Sequence, residues 1–164
     1  MSAIVPFWPR TRPPIIGAVQ VRTLSGIREA VAQVLAPRAE VLAGYIFGSV
    51  ASGRARPDSD VDVAVLVRPV VMKRDPSTYR LNLMADLRTA LQRFDVDVVL
   101  LNTAPPSLAQ NVVRGGTVVC ERSRAERIRF QVQALNRFLD TQPMRDLHID
   151  TLKRRYAKRR AGGR

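Results

Sequence analysis

The sequence predicts an α/β (α+β) protein in which a short mixed sheet is flanked by helices. Apolar runs of strand length, bounded by Gly, Pro or Asp, recur at Val41–Phe47, Val61–Val67 and Asp95–Leu101. Segments with apolar residues at helical spacing lie between and after them. The length of 164 residues corresponds to one domain at roughly 150 residues each, enough for a single core and too short for two complete enzymes.

Taken in order, residues 1–22 hold Pro6, Pro9, Pro13 and Pro14 and no acid, which predicts an extended, basic, Pro-rich arm. Ser25 is positioned to cap a helix carrying Ile27, Val31, Val34 and Leu35 on one face and ending before Pro37. Val41–Phe47 predicts a buried strand that stops at Gly48-Ser49 and opens a short helix. After the loop Gly53–Asp60, the alternation Val61, Val63, Val65, Val67 predicts a second strand bounded by Pro69. Leu83, Leu87 and Leu91 predict a helix over Tyr79–Phe94, and Asp95–Leu101 a third strand. A helix from about Pro106 to Arg114, a turn at Gly115-Gly116 and a strand at Thr117–Cys120 follow. Arg124–Leu139 has Ile128, Val132, Leu135 and Leu139 on one side of a helix, and a last helix starts near Pro143. The domain division is therefore an arm (1–22), a central domain (23–140) and a basic C-terminal helix and tail (141–164).

Lys and Arg number 27 against 14 Asp and Glu, a net charge of 27 − 14 = +13. This excess lies over ordinary globular values of 46% hydrophobic and 25% charged residues, which excludes disorder throughout. One cysteine, Cys120, excludes an internal disulfide framework and a multi-thiolate metal site, and the lone His148 excludes His-rich zinc chemistry. Cys120 is expected to be buried in its strand, Trp8 to be a docking anchor or simply to pack locally in the arm, and His148 to pack or cap the last helix. No apolar run approaches the roughly 18 residues that span a bilayer, so a soluble, cytoplasmic protein with no membrane association is expected. The prolines and charge order of the first residues do not match a secretory signal. The cations Lys153, Arg154, Arg155, Lys158, Arg159, Arg160 and Arg164, with no acid after Asp150, could bind a nucleic-acid backbone.

The stretch that carries chemistry is Gly48-Ser49, Gly53 and Ser59-Asp60-Val61-Asp62. Asp60 and Asp62 stand two apart at the start of a strand, so both carboxylates point to one face. Two like charges so placed repel unless a cation sits between them, and oxygen donors without His or thiolate select Mg²⁺ or Mn²⁺. A bare Asp-x-Asp is commonly a solvated strand end. Here a Gly-Ser turn precedes it, where Gly48 permits close approach of phosphate oxygens and Ser49 adds a hydroxyl donor. A phosphate cradle facing a pair of metal-ligating acids is what a nucleoside triphosphate site requires. Asp95 and Asp97 open the third strand on a shared face, and strand geometry does not choose between them.

These residues, in this order, resemble the nucleotidyltransferase superfamily of DNA polymerase beta and kanamycin nucleotidyltransferase. In size the chain is similar to its minimal nucleotidyltransferase (MNT) branch, the antitoxin partners of HEPN-domain RNase toxins. The resemblance covers about residues 38–140 and implies a polymerase-beta-like fold. It also implies that Gly48 and Ser49 bind the nucleotide, with ATP as substrate. Asp60, Asp62 and Asp97 would be the catalytic, metal-holding triad, with Asp97 as base. The implied activity is transfer of AMP from ATP to a tyrosine of the cognate HEPN toxin, with Mg²⁺ (or Mn²⁺). Many members carry Arg where this chain has Ser52, with Arg54 and Arg56 nearby instead. The alternatives are a non-catalytic antitoxin that binds toxin or DNA, and a nucleotidyltransferase acting on RNA or a small molecule.

Overall fold

The computed structural model describes residues 23–54 and 59–144. In chain order these form α1 (Leu24–Leu35), β1 (Val41–Phe47), α2 (Gly48–Ala51), β2 (Val61–Val67), α3 (Pro69–Arg74), α4 (Pro76–Leu91), β3 (Val96–Leu100), α5 (Pro106–Gly115), β4 (Thr117–Glu121) and α6 (Arg124–Asp140). A short 3-10 turn, Leu101–Thr103, joins β3 to α5. The strands make one sheet in the order β3-β2-β1-β4. β1 runs antiparallel to both β2 and β4, and β2 runs parallel to β3. The fold is the mixed sheet with flanking helices that the sequence predicts.

Period-two alternation explains how both faces of the sheet are filled. Val61, Val63, Val65 and Val67 of β2 pack with Ile27, Val31 and Leu35 of α1 and Leu83 and Leu87 of α4. Ala64 and Leu66, alternating with them, join Leu42 and Tyr45 of β1 against Val112 of α5 and Phe130 and Ala134 of α6. Helices on both faces make β2 continuously apolar apart from Asp62, whose end of the strand is open. Leu83 is fully buried, so Leu83→Ala is expected to cost about 2–5 kcal/mol by lost burial and an unfilled cavity, measurable by urea unfolding.

At the sheet end away from Asp62, Arg38 is buried, pairs with Asp86 of α4 and lies 6.0 Å over the Tyr79 ring. The Tyr79 hydroxyl donates to Glu40 Oε1 at 3.0 Å. Burial, with Glu40 beside it, pushes the Tyr79 hydroxyl well above its ordinary range. These contacts bind the α1–β1 connection to α4.

Several local expectations change. Thr23, not Ser25, caps α1, its hydroxyl accepting from Gly26 N at 3.2 Å. Pro69 does not simply end β2; it opens α3, where its fixed φ and missing N–H suit a first turn. α4 begins three residues before Tyr79, capped by Asp75, which accepts from Thr78 N at 3.0 Å. It ends at Leu91 rather than Phe94, because Gln92 adopts the left-handed conformation, φ 52°. β3 begins at Val96, not Asp95. Cys120 lies on β4 but is only half-buried, its thiol pushed up by desolvation. The stripe Ile128, Val132, Leu135, Leu139 does share one side of α6, yet that side faces away from the core, which Phe130 and Ala134 enter instead. Residues 142–144 are helical, as expected near Pro143. The Pro-rich arm with Trp8, Arg56, His148 and the basic tail lie outside the described residues.

Candidate functional site

The site forms where β1 leaves the sheet and where β2 and β3 enter it. β1 ends at Phe47, and the chain turns at Gly48 with φ 73° into the single turn of α2. That conformation is open to glycine and strained for other residues. Position 48 has a second constraint, since a Cβ there would collide with the Asp62 carboxylate at Oδ2. The turn is held by backbone bonds from Ser52 N to Gly48 O at 3.2 Å and from Arg54 N to Ser49 O at 3.0 Å. Arg54 Nε also donates to Ser52 Oγ at 3.3 Å, so an arginine lies against position 52 from two residues downstream.

Strand register assembles the acids. Asp62 pairs with Phe47 across the antiparallel β1–β2 ladder and with Asp97 across the parallel β2–β3 ladder. Neighbouring strands are about 4.8 Å apart, so residues paired in this way carry their side chains side by side. Asp62 is half-buried, and its carboxyl is pushed above the ordinary carboxylate range, first by desolvation and then by the negative charges of Asp60 and Asp97. Asp60 and Asp97 are exposed. Asp97 Oδ1 lies 3.7 Å from Arg80 Nη1 of α4 and accepts from Val98 N at 2.8 Å. Gly48, Ser49, Asp60, Asp62 and Asp97 thus meet at one end of the sheet. Among the described residues, however, no three Asp, Glu, His or Cys side chains converge closely enough to hold one ion as placed.

Asp95 points to different work. Arg93 grips it through Nε at 2.9 Å and through Nη2, holding its carboxyl below the usual range. Arg93 Nη2 also donates to the Ser59 carbonyl at 2.7 Å, while Asp95 O accepts from Val61 N at 2.9 Å. The Arg93–Asp95 pair therefore fastens the end of the loop that delivers Asp60 to the start of β3. Sequence reasoning missed this clamp and Arg80. Arg93 stands two residues before Asp95, a spacing that hints at a local pair but does not show that Ser59 lies alongside. The Phe94 ring between them is 90% exposed at the same entrance.

The donor set suits a hard divalent cation. It is all oxygen, and the desolvated Asp62 carboxylate is destabilised by its two anionic neighbours until a positive charge offsets them.

Comparison with known proteins agrees with this geometry. The sequence profile described as "Polymerase beta, Nucleotidyltransferase" matches residues 29–125. No curated protein sequence matches. Among solved structures, the chain is similar to a toxin-antitoxin protein crystallised with AMP-PNP, at 27% identity and a TM-score of 0.66, covering 77% of this chain and 98% of that one. It is similar to a chain in the complex of a tri-AMPylated HEPN toxin with MNT antitoxin from Shewanella oneidensis, at 25% identity and a TM-score of 0.63, covering 80% and 99%. A chain of the MntA-HepT toxin-antitoxin gives 25% identity and a TM-score of 0.60, covering 77% and 97%. No helix among the described residues is long and apolar enough to cross a membrane. The profile match takes in β1, the Gly-Ser turn, the Asp-x-Asp strand and β3 within one sheet, and on that ground the chain belongs to the polymerase beta nucleotidyltransferase family.

Proposed function

We propose that this protein is a Mg²⁺-dependent (or Mn²⁺-dependent) nucleotidyltransferase acting as the antitoxin of a HEPN/MNT pair, which moves AMP from ATP to a tyrosine of its cognate HEPN RNase toxin. The observation that carries the reading is the pairing of Asp62 with Asp97 beside the Gly48-Ser49 turn. The similar structures with AMP-PNP and with an AMPylated HEPN toxin support the nucleotide and the partner. In this reading residues 23–140 are the catalytic domain, flanked by the arm (1–22) and the basic helix and tail (141–164).

Gly48 and Ser49 hold the triphosphate through backbone N–H groups and the Ser49 hydroxyl. Asp60, Asp62 and Asp97 would hold the divalent ion, which when bound would neutralise phosphate charge and favour the deprotonated acceptor. The tyrosine oxygen attacks the α-phosphorus, the bond to the β-phosphate oxygen breaks, and pyrophosphate leaves. Asp97, whose side chain is 60% exposed, takes the acceptor's proton. The Arg93–Asp95 clamp keeps Asp60 in place from the side. The product, a tyrosine carrying AMP, adds bulk and negative charge to the toxin and would repel RNA.

Co-expression with the product of the adjacent gene, followed by intact-mass measurement, tests the reading: AMP additions on the partner, absent with Asp60→Asn, are the expected result. An unmodified but fully inhibited partner favours a binding-only antitoxin, and AMP on RNA ends favours the RNA reading that the +13 charge keeps in view. Calorimetry is expected to show weak ATP binding without Mg²⁺ and tighter binding with it.

Asp97 on β3 and Asp95 just before it should separate cleanly. Asp97→Asn is expected to slow transfer by about 100-fold or more, as loss of a base or ligand commonly does. Asp95→Asn, which loosens only the clamp, should slow it by less than about 10-fold. Single-turnover pyrophosphate release measures both, and the reverse ranking would shift the catalytic register by two residues.

A further inference from the structure

Ile128, Val132, Leu135 and Leu139 are 44%, 54%, 42% and 49% exposed, four branched apolar side chains on the outer face of α6. The inner face is already satisfied, because Phe130 and Ala134 pack into the core formed with β1 and α5. The outer residues are spaced four, three and four apart. That is the a/d spacing of a coiled-coil seam, and the surface that interlocks with such a seam is another helix. At 1.5 Å per residue the seam is about 16 Å long, roughly two heptads of contact.

Charge narrows the occupant. At 100° per residue, Arg124 lies within about a quarter turn of the seam; Arg129, at its other edge, is already ion-paired with Glu126 at 2.6 Å, and Asp140 lies just beyond it. A second copy of this chain would bring another +13 and arginines against arginines. The chain's own segment after Met144 carries eight Lys and Arg against two acids, Asp146 and Asp150, and so is on balance of the same sign. The arm before residue 23 is broken by Pro6, Pro9, Pro13 and Pro14 and has no acid to offer. The complementary surface is an amphipathic helix with a Leu/Ile seam edged by Asp or Glu, carried by a different protein.

We infer that the outer face of α6 is the docking surface for an acid-edged amphipathic helix of the toxin; that the toxin bears this helix rests on the reading in the preceding section. Docking is thereby separated from catalysis. α6 belongs to the layer that covers one face of the sheet, and the carboxylates stand at the strand ends, so the seam can hold the partner while its tyrosine approaches the site.

The test uses the full chain co-purified with the product of the adjacent gene. Two double variants are compared, Val132→Glu with Leu135→Glu and Val132→Ser with Leu135→Ser, together with Arg124→Glu. The glutamate pair is expected to weaken the complex by about 100-fold or more and the serine pair by about 10-fold, because the first adds repulsion to lost burial. Arg124→Glu is expected to weaken it mainly at low salt. All three should keep the wild-type melting temperature and Mg²⁺-dependent ATP binding, since they touch neither core nor site. A complex of undiminished affinity in both double variants overturns the proposal. So does a wild-type chain that self-associates through this face in sedimentation and loses self-association in the variants. If the wild-type chain forms no complex with the adjacent gene product at all, the antitoxin reading itself falls, an outcome distinct from a complex that ignores α6.

Discussion

Asp62→Asn is expected to reduce nucleotidyl transfer by at least about 100-fold while raising the melting temperature of the metal-free protein at neutral pH. Both effects come from the position of one carboxylate. Asp62 sits between Phe47 and Asp97 in the sheet, half desolvated, with the charges of Asp60 and Asp97 beside it. Its carboxyl is raised in the folded protein, so folding favours the protonated form. That favourable contribution is complete below the ordinary carboxylate range and is lost as pH rises through the raised folded value. At neutral pH the ionised group therefore opposes folding, and an isosteric amide removes the opposition. Differential scanning calorimetry across acidic and neutral pH should show the variant more stable at neutral pH, with the gap closing on acidification as wild-type Asp62 becomes neutral. Pyrophosphate release measures the loss of transfer. A variant that transfers AMP at the wild-type rate would remove Asp62 from the active site.

Gly48→Ala is the second change of large expected effect, and it needs no change of charge. The added methyl meets Asp62 Oδ2, and the backbone at position 48 has φ 73°, which alanine adopts only with strain. Either Asp62 swings away from its neighbours or the α2 turn shifts, and each outcome disrupts the nucleotide site. Transfer is expected to fall by about 100-fold or more, and ATP binding in the presence of Mg²⁺ to weaken, while the core around Leu83 is untouched. Gly53→Ala is the control. It has a similar φ of 69° but nothing within 4 Å of the added atom, so it carries only the backbone strain. Equal losses in the two variants would mean that the contact with Asp62 is unimportant.

The strands and the acids were legible in the chain because their signals are local. Alternating valines from Val61 to Val67 specify a strand wherever its neighbours lie, and an acid pair at that strand's start must share a face by the two-residue period. The Gly-Ser turn was legible for the same reason, its left-handed Gly48 closing a strand directly onto a helix. Helix ends were less so. Ser25 and Thr23 are chemically equivalent caps, and the first turn of α1 selects between them by where packing starts the helix.

Strand geometry left Asp95 and Asp97 both open as the neighbour of Asp62; the family resemblance implied Asp97, and the tertiary structure supplies the physical reason. Asp95 and Asp97 share a strand face, and only the parallel register with β2 brings Asp97 opposite Asp62 and leaves Asp95 to Arg93 and the Ser59 loop. That register is set by residues far apart in sequence, through the crossover of α3 and α4, so no local pattern encodes it. The same holds for α6. Its most regular apolar stripe, Ile128 to Leu139, does lie on one side of the helix, but the contact with β1 and α5 is made by Phe130 and Ala134. Periodicity identified the helix and its stripe; the side chosen for burial depended on the shape of the sheet and helix it packs against, which the chain acquires only when folded.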